Sequence, residues 1–143
     1  MGVFDDNTNI KSEYPAQKII REYLADYFAD DKGIWYSISR LNPNSEHLGW
    51  LILTCMQAMY PLRGKLFYDY GVDIHDVTVK CLGQYHYHIK VICNIYPTEI
   101  RWKDMSLDAV NIMKNACYQG KMPGYSVMKG VDYVGIDVKH SLV

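Results

Sequence analysis

A chain of 143 residues is long enough to form one domain with a substantial core, and 49% hydrophobic against 22% charged residues excludes wholesale disorder. A net charge of −1 gives no bulk attraction to nucleic acid or to an anionic membrane, and no apolar run approaches the roughly 20 residues needed to cross a bilayer. Thirteen tyrosines, each a large apolar body with a polar handle, suit half-buried sheets and contact surfaces.

Residues 1–13 read as a flexible, acidic arm without an apolar h-region, so the chain is not expected to be secreted. Gly2 lacks the small hydroxyl residue at position six that a myristoylation signal carries. The remainder, 14–143, reads as one globular domain. From Pro15 the pattern becomes helical, with Ile19, Ile20, Tyr23, Leu24, Tyr27 and Phe28 on one stripe and Gly33 as the stop. Ile34 to Leu41 reads as a strand. Asn42-Pro43-Asn44-Ser45 is a turn that supplies an N-cap. Glu46 to Tyr60 is apolar nearly all round, which predicts the buried helix of the domain, ended by Pro61. Lys65 to Tyr70 reads as a short strand, and Gly71 to Asp76, including His75, as a connection.

The central feature is Val77 to Tyr96. Apolar and aromatic residues recur with a period of two along Tyr85, Tyr87, Ile89, Val91, Cys93 and Ile95, as they do at Val77, Val79 and Cys81 upstream, a period only strands can use. A two-residue loop at Gly83-Gln84 would mix apolar and polar side chains on both faces, since a one-residue slip flips a strand. One more residue in the connection pairs Cys81 with Tyr85, Val79 with Tyr87 and Val77 with Ile89. That register leaves Lys80, Thr78 and Asp76 opposite His86, His88 and Lys90 on the polar face. Beyond Pro97, Asp104 or Ser106 caps a helix to about Gln119, with Leu107, Val110, Met113 and Cys117 inward and Gly120 at its end. Residues 125–138 read as two short strands turning at Lys129-Gly130. The expected class is α+β: a mostly antiparallel sheet with a central hairpin, packed against about three helices.

Catalytic signatures are lacking in the sequence. His86 and His88 share one strand face at a spacing some metal sites use, but their expected neighbours Lys80 and Lys90 would repel a cation. Cys93 lies on the opposite face from both histidines, so neither it nor Cys117 gains a general base. Cys55, Cys81, Cys93 and Cys117 show no CxxC spacing and read as buried free thiols. Asp104 and Asp108 suit the start of a helix without any catalytic role. Glycine loops for phosphates do not occur. The expectation is a non-enzyme with no catalytic, cofactor or metal residues.

Two strings carry a resemblance. Asn42-Pro43-Asn44 stands between an expected strand and a long apolar helix. The second string runs from His86 through Val91, Cys93-Asn94 and Pro97 to Trp102-Lys103-Asp104-Met105-Ser106-Leu107. Together they resemble the matrix proteins of rhabdoviruses, the lyssavirus type most closely. The resemblance implies a virion protein that self-associates, lies peripherally on the inner, anionic membrane face, condenses the nucleocapsid and supports budding. Sequence-specific nucleic-acid binding is not implied. The residues expected to meet membrane or nucleocapsid are Lys80, Lys90, Arg101 and Lys103. The implied locations are the virion and the host cytoplasm or inner membrane face. This chain departs from the family in its short acidic arm, where Tyr14-Pro15 is only a fragment of a PPxY late-domain motif. Two other functions fit the same residues: a cytosolic interaction or immunity-type module that masks a partner, and a small metal-dependent enzyme using His86 and His88.

Overall fold

The computed structural model describes residues 14–29, 35, 45–83 and 85–140. In chain order these give α1 (Pro15–Ala29), α2 (Ser45–Ala58), a 3-10 turn (Tyr60–Leu62), α3 (Arg63–Tyr70), β1 (Val72–Gly83) and β2 (His86–Ile95). A second 3-10 turn (Trp102–Asp104), α4 (Leu107–Tyr118) and β3 (Met128–Lys139) follow. The three strands form one antiparallel sheet in the order β1-β2-β3. The fold is α+β, as the patterning predicts. The arm at 1–13, the Gly33 stop and the Asn42-Pro43-Asn44 turn lie outside the described residues. So does the Ile34–Leu41 strand, except for Trp35, which has helical backbone and is buried.

In α1, Ala16, Ile20, Leu24 and Phe28 recur every fourth residue and are buried, with Ile19, Tyr23 and Tyr27 beside them. Lys18 and Glu22 on the far side approach to 3.9 Å in solvent. This stripe, one side of α2 (Leu51, Cys55) and Met59 just beyond it cover one face of the sheet. There Val72, Val77, Tyr87, Ile89, Val91, Cys93 and Ile136 complete the larger hydrophobic cluster. A smaller cluster gathers at the far end of β2 from Phe67, Tyr96, Ile100, Trp102, Val110 and Cys117. The Trp102 indole N–H donates to the Pro97 carbonyl at 2.8 Å, so its polar handle is satisfied within the fold. α3 joins the two clusters, since Leu66 lies in one and Phe67 in the other.

Several expectations need correction. Lys65 to Tyr70 is helical, because residues 63–70 continue the turn begun at Pro61 and end at Gly71 (φ 69°). A Cβ on Gly71 would also stand 2.7 Å from the Tyr96 carbonyl oxygen, so glycine is required twice over. His75 is not in a connecting loop. It occupies a bulge in β1 that keeps both Ile74 and Val77 on the buried side. The hairpin register differs by two residues from the expected one: Val77 faces Val91, Val79 faces Ile89 and Cys81 faces Tyr87. Lys80 and Thr78 therefore lie opposite His88 and Lys90, and Asp76 opposite Ile92. An irregularity between Cys81 and Gly83 absorbs the difference before the chain turns at Tyr85 (φ 55°). Because the slip is an even number, every side chain keeps the face its alternation predicts.

The tail is one strand, not two. The signal at Lys129-Gly130 is a bulge, in which Gly130 takes φ 64° and its N–H donates to the buried Asn94 side chain at 2.7 Å. In α4, Ser106 caps the N-terminus by accepting from the Ala109 N–H. The helix closes with Gly120 N–H donating to the Cys117 carbonyl and Lys121 N–H to the Ala116 carbonyl around a left-handed Gly120. Val110 and Cys117 point inward and Met113 is half-buried, but Leu107 is exposed, as the smaller cluster begins one turn later at Val110. Nor is α2 buried all round. Packed on one side only, it leaves Leu53 61% exposed, and Tyr60 just beyond it is 71% exposed.

Candidate contact surface

The sheet face turned away from α1 and α2 carries the polar half of each strand's alternation. β2 supplies His86, His88 and Lys90, β1 supplies Asp76, Thr78 and Lys80, and β3 supplies Gly135, Asp137 and Lys139. Asp137 stands between the histidines: His88 Nδ1 lies 2.6 Å from Oδ1, and His86 Nε2 lies 4.0 Å from Oδ2. Gly135 makes room for this arrangement, since a Cβ there would meet His88 Nε2 at 2.9 Å. Reading the tail as two short strands hides Asp137, Gly135 and Lys139 from sequence reasoning. Their alternation within a single strand is the signal that could have found them.

Two of the four expected contact residues, Lys80 and Lys90, share this face. Lys80 is exposed and Lys90 half-buried. Arg101 and Lys103 lie in the segment after β2, and each holds a carboxylate. Arg101 Nε meets Asp104 Oδ2 at 2.7 Å, and Lys103 Nζ meets Asp69 Oδ1 at 2.7 Å. The hydrogen bond that Lys103 donates to Asp69 raises the Lys103 pKa above its ordinary value. These ion pairs offset the charge that a membrane or nucleocapsid would read at Arg101 and Lys103. Arg101 and Lys103 line an open groove together with Tyr68, Asp69 and Tyr70 of α3 and with Thr98, Ile100 and Trp102.

Other side chains also face solvent. Leu53 and Tyr60, with half-buried Met56 and exposed Arg63, form an apolar strip with a cation at one end; Met56, Gln57, Tyr60 and Arg63 line a shallow groove there. On α4, Leu107 and Ile112 are 69% and 71% exposed. The uniform apolarity of α2 predicts burial and so conceals this strip in the sequence.

The thiols divide differently from the expectation. Cys55, Cys93 and Cys117 are buried, whereas Cys81 is exposed near the hairpin tip, and none of the four forms a disulfide. Burial pushes the Cys55 thiol up to about 12 and raises that of Cys117. Cys93 faces the buried cluster on the side opposite His86 and His88. Among the described residues no three His, Cys, Asp or Glu side chains are arranged to hold a metal ion, and no helix is long and apolar enough to cross a membrane. No family model, curated protein or solved structure matches this chain.

Proposed function

We propose that the chain is a structural protein of the viral matrix kind, working through contact surfaces rather than an active site. In this reading it self-associates, lies peripherally on an anionic membrane face and meets the nucleocapsid. The observation that carries the reading is the pairing of exposed apolar side chains with cations. Exposed Tyr60 and half-buried Met56 share a groove with Arg63, and Lys80 and Lys90 share the polar sheet face. Apolar side chains that enter the headgroup layer and lysines that each contribute about 1 kcal/mol near an anionic surface suit peripheral binding. The strings at residues 42–44 and 86–107 supply the second support. The virion and the inner membrane face are the locations that follow from this reading.

The test is flotation with anionic and neutral vesicles at low and physiological salt, with self-association followed by light scattering. Anionic vesicles should carry the protein at low salt, and Lys80→Glu with Lys90→Glu should reduce that binding. Leu53→Ser with Tyr60→Ser should reduce it even at low salt. Removing residues 1–13 should reduce assembly. A protein that remains monomeric and ignores both vesicle types overturns the reading and favours a module that masks a protein partner. The same apolar groove at Met56 and Tyr60 supports that second reading.

A further inference from the structure

The two edges of the sheet differ in how they are closed. β3 is interrupted by bulges at Lys129-Gly130 and at Tyr133, and the Tyr133 carbonyl accepts from the Gln17 amide of α1. β1 keeps an unbroken register from Asp76 to Cys81, and among the described residues no strand lies beyond it. An edge of this kind is a template for a further strand. Among the described residues, Asp76 Oδ1 accepts from the Val77 N–H at 2.8 Å on this edge. That N–H therefore points away from β2, and by the two-residue alternation those of Val79 and Cys81 point the same way.

The geometry points to a second copy of this chain as the occupant, its β1 running antiparallel to the first about a two-fold axis at Thr78. Of the symmetric registers available to this stretch, the one centred on Thr78 brings opposite charges together. Asp76 faces Lys80 of the second copy, and Lys80 faces its Asp76. A register centred on Lys80 would oppose two ammonium groups. All three side chains are exposed on the same sheet face, and neither Asp76 nor Lys80 has an ion pair among the described residues. On the other face Val77 meets half-buried Val79 of the second copy, extending the hydrophobic cluster across the junction. The Val77 N–H then passes from the Asp76 carboxylate to the Val79 carbonyl of the second copy, freeing Asp76 for the ammonium. Two three-stranded sheets become one of six strands, through an isologous contact that closes on itself. This pairing gives a surface to the self-association of the proposed function, and rests on that reading only for its place in a larger assembly.

Sedimentation of the full chain should show a concentration-dependent dimer that weakens with salt. Asp76→Lys alone and Lys80→Asp alone each set like charges opposite one another at two places, and should weaken the dimer by about tenfold or more. The double exchange, Asp76→Lys with Lys80→Asp, should restore it, a rescue that mere loss of folding would not give. Thr78→Cys on a Cys81→Ser background should form a disulfide-linked dimer on mild oxidation. Antiparallel partners without shared hydrogen bonds sit about 4.5 Å apart at Cα, within disulfide reach. A monomer at all concentrations, or a dimer indifferent to both single exchanges with no crosslink, overturns the pairing. Vesicle binding without the dimer would leave the proposed function and remove this edge from it. The dimer without vesicle binding would do the reverse.

Discussion

The two faces of β2 were built by one alternation and ended in opposite environments. Tyr87, Ile89, Val91 and Cys93 are sealed beneath α1 and α2, with Ile89, Val91 and Cys93 fully buried. One residue away in each case, His86, His88 and Lys90 remain half-buried, the two histidines beside Asp137. The buried face holds the fold together through area removed from water, about 25 cal/mol per Å². The polar face contributes little to that sum, so its composition is open to other demands. The difference locates stability on one side of the strand and leaves the side chains of the other free to vary without loss of the core.

The largest expected effect is on the buried face. Ile89→Ala should destabilise the protein by about 2–4 kcal/mol in denaturant unfolding, because it leaves a cavity that the surrounding side chains only partly fill. A loss below about 1 kcal/mol would mean that this face is loosely packed.

Alkaline pH probes the same face. Burial pushes the Tyr87 and Tyr133 phenols up to about 12 from an ordinary value of 10.0. Below pH 10 the folded and unfolded chains both hold these protons, and the full stabilisation is present. As pH rises towards 12 the unfolded chain ionises first, so the melting temperature should fall across that window. Replacing both tyrosines with phenylalanine should flatten the fall.

Thiol labelling sharpens the contrast along the hairpin. In the native protein Cys81 should react quickly, while Cys55, Cys93 and Cys117 react fully only after denaturation. The smallest effect belongs to the polar face. His88→Ala should change stability by no more than about 0.5 kcal/mol, despite the 2.6 Å contact with Asp137, since both groups reach solvent. A larger loss would assign the histidine pair a structural role.

Much of this contrast was legible in the sequence. Period-two alternation fixed which face each β2 side chain takes, and period-four recurrence gave α1 with its buried Ile20, Leu24 and Phe28. Side-chain alternation could not fix the partner in the hairpin, because an even slip preserves every face. Residues 65–70 read as a strand because six residues with three aromatic rings fit either period, and only the turn at Pro61 and the stop at Gly71 decide for helix. Gly130 marks a bulge or a turn equally well until Asn94 is seen to accept its N–H. The polar surface around Asp137 was hidden for the same reason, since it needs β3 to be continuous. Exposure of Leu53 and Tyr60 depends on what does not pack over α2, which no local pattern encodes.

The placement of α3 has a consequence for cooperativity. Leu66 and Phe67 are consecutive, yet they belong to different hydrophobic clusters, and four residues later the Gly71 carbonyl accepts from the Tyr96 amide at 2.7 Å. Neither cluster can therefore open without disturbing a backbone segment that the other holds. Although the smaller cluster lies apart from the main core, amide exchange there should proceed through the same opening event as in the sheet. Heating should take both through one transition.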